Sequence, residues 1–155
     1  SKDYPRAIAY QQAAIKLSKR HKDLRAEAAS YLMLAHALRD KGDVEPARKE
    51  VQKAIAVYTG NGEASQAGEA YLELSNTYAN YGREIKEKIK YYQQALQLFL
   101  QAGNRRRQAD VRKDLGDSRT LLHGFSGQLG GEHTLSSQQG GRASPSTKCL
   151  PRSSW

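Results

Sequence analysis

The histidine and cysteine side chains, which often carry metal or nucleophile chemistry, are widely spaced in this 155-residue chain. The histidines are His21, His36, His123 and His133, and no two of them have the i, i+4 spacing that places two imidazoles at one metal ion. The single cysteine, Cys149, has no neighbouring base of fixed position that could activate its thiol. The sequence therefore predicts no metal site and no catalytic thiol.

Two further patterns resemble catalytic motifs only superficially. Residues 127–131 are rich in glycine, but a phosphate-binding loop follows a strand and ends in Gly-Lys-Ser or Gly-Lys-Thr, and the sequence has neither feature here. Glu69 and Glu73 share one helix face, but a general acid–base pair needs a closed pocket that makes two carboxyl groups differ in acidity. A charged surface or groove is the simpler interpretation, so we predict a protein without catalytic residues or cofactors.

Basic residues outnumber acidic ones, and the formal net charge is +9. The densest cluster is Arg105–Arg107, and Lys86 and Lys90 add charge to the segment before it, but Glu87 and Asp110 interrupt the run. The tyrosines have the spacing of a helical core rather than of platforms for stacked bases. Solvated helix surface is therefore the favoured interpretation. RNA or phosphate binding stays as the weakest alternative, and it requires an affinity that falls steeply with salt.

The segments that carry these side chains have the composition expected of a soluble protein. No run approaches the 18 consecutive apolar residues that a membrane-spanning helix needs. The first residues lack the apolar segment of a signal peptide, and one cysteine cannot form an intrachain disulfide. We therefore expect a cytoplasmic protein that does not enter a membrane.

The composition changes near residue 117. All nine tyrosines lie before this point, whereas glycine and serine supply 14 of the 38 positions in residues 118–155. That second part also carries three of the nine net positive charges. We predict a helical array in residues 1–117 and a low-complexity, disordered tail in residues 118–155, because such a tail cannot bury enough apolar surface to offset its chain entropy. Two interpretations of the tail stay open, namely a genuine tail or a segment that is out of frame.

An internal repeat organises residues 1–117. The alanines Ala14, Ala54 and Ala95 are 40 and 41 residues apart within similar segments. Between them, the segment Tyr31–His36 matches Tyr71–Asn76 at a spacing of 40. A period in this range is typical of helical repeats that stack into an array.

Each half of the repeat has helical periodicity. Tyr31, Leu34, Ala35 and Leu38 fall at i, i+3, i+4 and i+7 and therefore share one helix face. Glycines such as Gly42 end the helices. The pattern predicts an all-α fold without strands. The predicted helices span residues 4–20, 24–41, 44–58, 63–81, 84–102 and 105–117.

At these positions the sequence resembles the tetratricopeptide repeat (TPR) family. One full repeat is matched by Tyr31, Leu34, Ala35, Leu38, Gly42, Asp43, Ala47 and Ala54, and a second by Tyr71, Leu74, Ser75, Tyr78, Gly82, Tyr92 and Ala95. Ala35 replaces the usual glycine, and Lys88 replaces an alanine near the turn. The period of 40 rather than 34 resembles the long-repeat subclass of the family. Half repeats flank the two full ones, so we expect a fragment of a longer array.

The resemblance implies a right-handed α-solenoid in which the first helix of each repeat lines a concave, partner-binding face. It also implies that partner contacts come from the inward positions of those helices. In this chain the inward residues are Leu32, Met33, His36, Arg39, Glu69, Leu72, Glu73, Asn76, Asn80 and Lys113. Their mixture of apolar and polar types suits an amphipathic peptide or a partner domain. Incomplete repeats at both ends further suggest self-association through uncapped helices.

The sequence leads to two functional hypotheses of different classes. The first is a non-catalytic interaction module, a TPR scaffold that binds a protein or peptide in its concave groove. The second is a regulatory or sensory part of a larger signalling enzyme, such as a bacterial sensor histidine kinase, whose catalytic domain is absent from this chain. A fold of this class supports both, because a solenoid determines a binding surface and not a partner.

Overall fold

The computed structural model describes the backbone of residues 3–142 and the side chains of residues 3–124. Six α-helices follow one another, and no strand occurs among the described residues. They are α1 (Tyr4–Arg20), α2 (Leu24–Lys41), α3 (Val44–Gly60), α4 (Ala64–Ser75), α5 (Glu84–Gln101) and α6 (Arg105–Arg142). The prediction of an all-α fold is confirmed.

Local capping signals explain where the first helices begin and end. The Asp3 carboxylate accepts a hydrogen bond from the Arg6 backbone N–H at 3.2 Å, and the Asp23 carboxylate accepts one from the Ala26 N–H at 3.0 Å. Such side chains satisfy backbone donors that have no partner within the helix. At the other end of α2, Gly42 adopts φ +105°, a left-handed conformation that glycine enters without steric strain.

The helices pack in chain order, because the extensive contacts join each helix to the next one along the sequence. This arrangement is that of an α-solenoid rather than of a closed bundle. Small side chains lie at the helix crossings and allow the backbones to approach closely. The fully buried alanines are Ala28, Ala47, Ala54, Ala67, Ala70 and Ala95.

The apolar core forms two clusters that meet at Tyr71. The larger cluster lies among α1 to α4, and the smaller one lies between α5 and α6 around Phe99 and Val111. Tyr71 packs against both, and its ring stacks on that of Tyr91 with 6.2 Å between centroids. Aromatic pairs at this distance stabilise a core beyond the area that they bury. The repeats therefore share one continuous interior.

Helix α4 ends at Ser75, so the prediction of a helix over residues 63–81 was wrong for its last part. In a continuing helix the Thr77 carbonyl would accept a hydrogen bond from the N–H four residues later. Instead Arg48 donates to this carbonyl at 2.7 Å, and its guanidinium lies 3.8 Å from the centre of the Tyr78 ring. These contacts hold the segment in a loop. Asn80, predicted on an inward helix face, lies in that loop.

Helix α6 continues beyond residue 117, where the sequence pattern predicted its end. Val111, Leu115 and Ser118 are buried and Leu122 is half-buried, so the apolar stripe keeps its i, i+4, i+7, i+11 spacing past the predicted boundary. Of the tail predicted at residues 118–155, residues 118–142 have helical backbone, and residues 143–155 lie outside the described part. None of the helices in the described part has the length and apolar character needed to cross a bilayer.

Candidate partner-binding face

The first helices of the repeats, α2 and α4, are linked by an ionic cluster of side chains that the sequence placed at inward positions. Glu73 of α4 lies 2.9 Å from Nε2 of His36 and 3.4 Å from Nη1 of Arg39, both on α2. All three side chains are half-buried. The structure therefore brings together three of the residues that were predicted to contact a partner.

A second ionic contact joins α4 to α6. Arg107 donates from Nε and from Nη2 to the two carboxylate oxygens of Glu69, each at 2.5 Å. This paired geometry matches the planar guanidinium to the carboxylate and fixes their orientation. The hydrogen bonds to Glu69 raise the pKa of Arg107. Sequence reasoning treated Arg105–Arg107 as solvated surface and missed this contact.

The contacts of Glu73 with His36 and of Glu69 with Arg107 join residues at nearly the same separation along the chain. Glu73 lies 37 residues after His36, and Arg107 lies 38 residues after Glu69. A third pair, Arg25 with Glu63 at 3.0 Å, also spans 38 residues. This separation is slightly shorter than the repeat period and connects successive first helices. Opposite charges 38 residues apart are the signal that could have predicted the Arg25–Glu63 and Glu69–Arg107 pairs, whereas the Arg39–Glu73 pair spans 34 residues.

The ionic pairs define a surface that we name the α2–α4–α6 face, formed by the inward residues of these three helices. Its acidic side chains lie on α4 and point to cations on both neighbours. Exposed ion pairs contribute little stability, so their main effect here is to fix the positions of the side chains. Arg39 and Arg107 thus offset the charges of Glu73 and Glu69, while Lys113 adds one exposed cation to this face.

The remaining predicted residues differ in their accessibility. Leu32 and Leu72 are half-buried and pack against the two core clusters. Met33 is 52% exposed, and Asn76 is exposed at the C-terminal end of α4. Lys113 is exposed on α6. Met33 and Asn76 are thus accessible at the surface, whereas the two leucines contribute partly to packing.

Met33 also lines an open hollow between α1 and α2. The hollow has a volume of about 410 Å³, and its other walls include Tyr4, Ala7 and His36. A flexible methionine beside aromatic and small side chains can adapt to apolar groups of different shape. Within residues 3–124, no group of three or more His, Cys, Asp or Glu side chains could hold a metal ion.

The comparison with protein families gives one match. A family model described as "SNAP: Soluble NSF attachment protein, SNAP" matches residues 2–125. The match continues past residue 117, in agreement with the observed continuation of α6. It supports a TPR-like helical repeat, whereas the long-repeat subclass stays a prediction. A search of curated proteins finds no significant relative.

Proposed function

Because the chain belongs to the soluble NSF attachment protein (SNAP) family, we propose that it is a non-catalytic adaptor that holds a protein partner on the α2–α4–α6 face. We take this face to be the concave side of the solenoid. The observation that carries the proposal is the ordered ionic network of Glu69 and Glu73, which leaves Met33 and Asn76 accessible among neutralised charges. A preorganised surface of this kind loses little conformational entropy on binding.

The chemistry of the face favours an amphipathic segment as its ligand. Met33 and the hollow beside it offer space for an apolar anchor, and Asn76 offers an amide that can donate and accept hydrogen bonds. An amphipathic helix presents groups of both kinds along one side. The family is named for attachment to NSF, so NSF is the first protein that we would test. Cytoplasmic location and self-association through the end helices remain part of this proposal.

A binding experiment with the full chain tests the proposal. Purified NSF is captured on immobilised wild-type chain, on Met33→Glu and on Leu100→Glu. Leu100 provides a matched control, because it is an exposed apolar residue, 43% accessible, on α5 rather than on the proposed face. We expect capture to fall at least about tenfold for Met33→Glu, since a buried unpaired charge opposes binding.

Circular dichroism of each variant confirms that the helices are retained before capture is compared. Asn76→Ala gives a second, milder probe of the same face. Equal capture by wild type and Met33→Glu would show that NSF does not use this face. The same capture from a cell extract then tests whether another protein occupies it, and equal recovery of every captured protein by all variants would remove the proposed role of the face.

A further inference from the structure

A second surface lies on the other side of α2, in the groove between α1 and α3. We name it the lysine groove and define it by Lys16, Lys19, Lys53 and Tyr31. Its volume is about 450 Å³. The floor is apolar, because Tyr31 is buried together with the neighbouring Ile15. Three ammonium groups therefore surround an apolar hollow.

Contacts with the ring of Tyr31 hold two of these ammonium groups over the hollow. Lys19 Nζ lies 5.8 Å and Lys53 Nζ lies 5.6 Å from the ring centroid, within the range of cation–π attraction. The Tyr31 hydroxyl donates to Glu27 at 3.1 Å, which fixes the ring itself. Hydrogen bonding with Tyr31, together with the negative charges of Glu27 and Glu50, raises the pKa of Lys19.

The groove carries a net positive charge. Glu50 pairs with Lys53 at 2.8 Å and neutralises one of the three ammonium groups. Lys16 and Lys19 form no ion pair with any residue that the structure describes, and both are exposed. With Glu27 and Glu50 both acting on Lys19, the three lysines leave a net charge of about +1, and the exposed ammonium groups of Lys16 and Lys19 beside apolar side chains attract a ligand that combines negative charge with an apolar group.

The next repeat shows that the fold does not require these lysines. The corresponding groove between α3 and α5 lies over Tyr71, which is 40 residues after Tyr31. It has a similar volume of about 420 Å³, but Gln93, Gln94 and Gln97 line it together with one lysine. At the repeat positions of Lys16 and Lys19, α3 has Ala56 and Thr59, and Gln94 stands at the position of Lys53, so the same architecture forms without these charges. The concentration of cations is a property of the lysine groove and not of the repeat.

We propose that the lysine groove binds an acidic, amphipathic segment of a protein partner through carboxylates that face Lys16 and Lys19. RNA fits less well, because the Tyr31 ring is buried beneath two cations and cannot serve as a stacking platform for a base. Tyr31 and Met33 point to opposite sides of α2, because residues two positions apart are rotated by about 200° around the helix axis. The groove can therefore be occupied together with the α2–α4–α6 face.

Fluorescence anisotropy of a labelled synthetic helix, with glutamate and leucine on one side, tests this inference on the full chain. The groove variant is Lys16→Glu/Lys19→Glu. The matched control is Lys49→Glu/Lys86→Glu, which changes the net charge equally at exposed lysines outside the groove. We expect the groove variant to bind at least about tenfold more weakly than wild type and the control less than about threefold more weakly.

Several outcomes would overturn the inference. Equal losses in both variants would show that overall charge attracts the peptide, and unchanged binding by the groove variant would show that it binds elsewhere. Tighter binding of a homopolymeric RNA than of the peptide would favour a nucleic-acid ligand. Met33→Glu separates the two surfaces, because it should lower NSF capture at least about tenfold and leave peptide binding unchanged. Loss of peptide binding in Met33→Glu would place the peptide on the other face.

Discussion

Replacement of Gly68 by alanine tests the packing between α4 and α5. Gly68 is buried within α4, and a Cβ atom at this position would lie 2.9 Å from both Cε1 and Cζ of Phe99. Phe99 is fully buried, so its ring cannot turn into solvent to relieve the contact. One repeat earlier, the corresponding residues are Ala28 and Tyr58, and the alanine is accommodated there. Glycine at position 68 therefore makes room for the deeper ring of Phe99.

Two opposing effects determine the size of the change. Alanine in a helix interior is more favourable than glycine by about 1 kcal/mol. Insertion of a methyl group into a filled core destabilises by about 1–3 kcal/mol. We therefore expect Gly68→Ala to lower the free energy of unfolding by about 1 kcal/mol, which lowers Tm by about 4 °C in a chain of this size.

Urea unfolding followed by circular dichroism measures this difference. Gly116→Ala on α6 is the matched control, because no atom lies within 4 Å of its added Cβ. That variant should gain about 0.5–1 kcal/mol from helix propensity alone. A double variant, Gly68→Ala/Phe99→Leu, should lose less stability than the two single changes added together. The packing argument fails if Gly68→Ala stabilises the chain as much as Gly116→Ala does.

Three further changes test individual contacts. Glu63 begins α4 without a capping hydrogen bond and has a buried, unpartnered Oε2, whereas Asp23 caps α2. We expect Glu63→Asp to raise the free energy of unfolding in urea by about 0.5–1 kcal/mol, because the gained cap outweighs the lost contact with the exposed Arg25; a lower free energy of unfolding would contradict this. Burial lowers the pKa of Lys88 from 10.5, so the folded state disfavours its charge at neutral pH. Lys88→Met should stabilise the chain by about 1 kcal/mol at neutral pH. Unfolding experiments at rising pH should show that the variant loses this advantage as the pH approaches 10.5, the pKa of an unperturbed lysine. An advantage that does not change with pH would contradict the prediction. Arg48→Lys keeps the charge but loses the stacking on Tyr78 and the planar group that donates to the Thr77 carbonyl. We expect the free energy of unfolding to fall by about 1–2 kcal/mol and the amides of the loop after α4 to exchange faster with solvent. Unchanged amide exchange would argue against this role of Arg48.

The local sequence determined most of the helical architecture. The predicted helices over residues 4–20 and 24–41 coincide with α1 and α2, because aspartate caps, a terminal glycine and a 3.6-residue apolar period act within a few residues of each boundary. The stripe of Tyr31, Leu34 and Ala35 is buried as its spacing predicted. These features depend on neighbours in the chain, so the sequence alone contains them.

Contacts between repeats were decided only by the tertiary structure. The end of α4 depends on Arg48, which reaches the Thr77 carbonyl from α3 across 29 residues. Likewise, the Glu69–Arg107 pair depends on how closely α4 and α6 stack. Periodicity shows which side of a helix faces inward, but not the offset between helices that sets which side chains meet. The sequence alone therefore determined the helices and their inward faces, whereas stacking decided which inward residues are paired and which stay accessible.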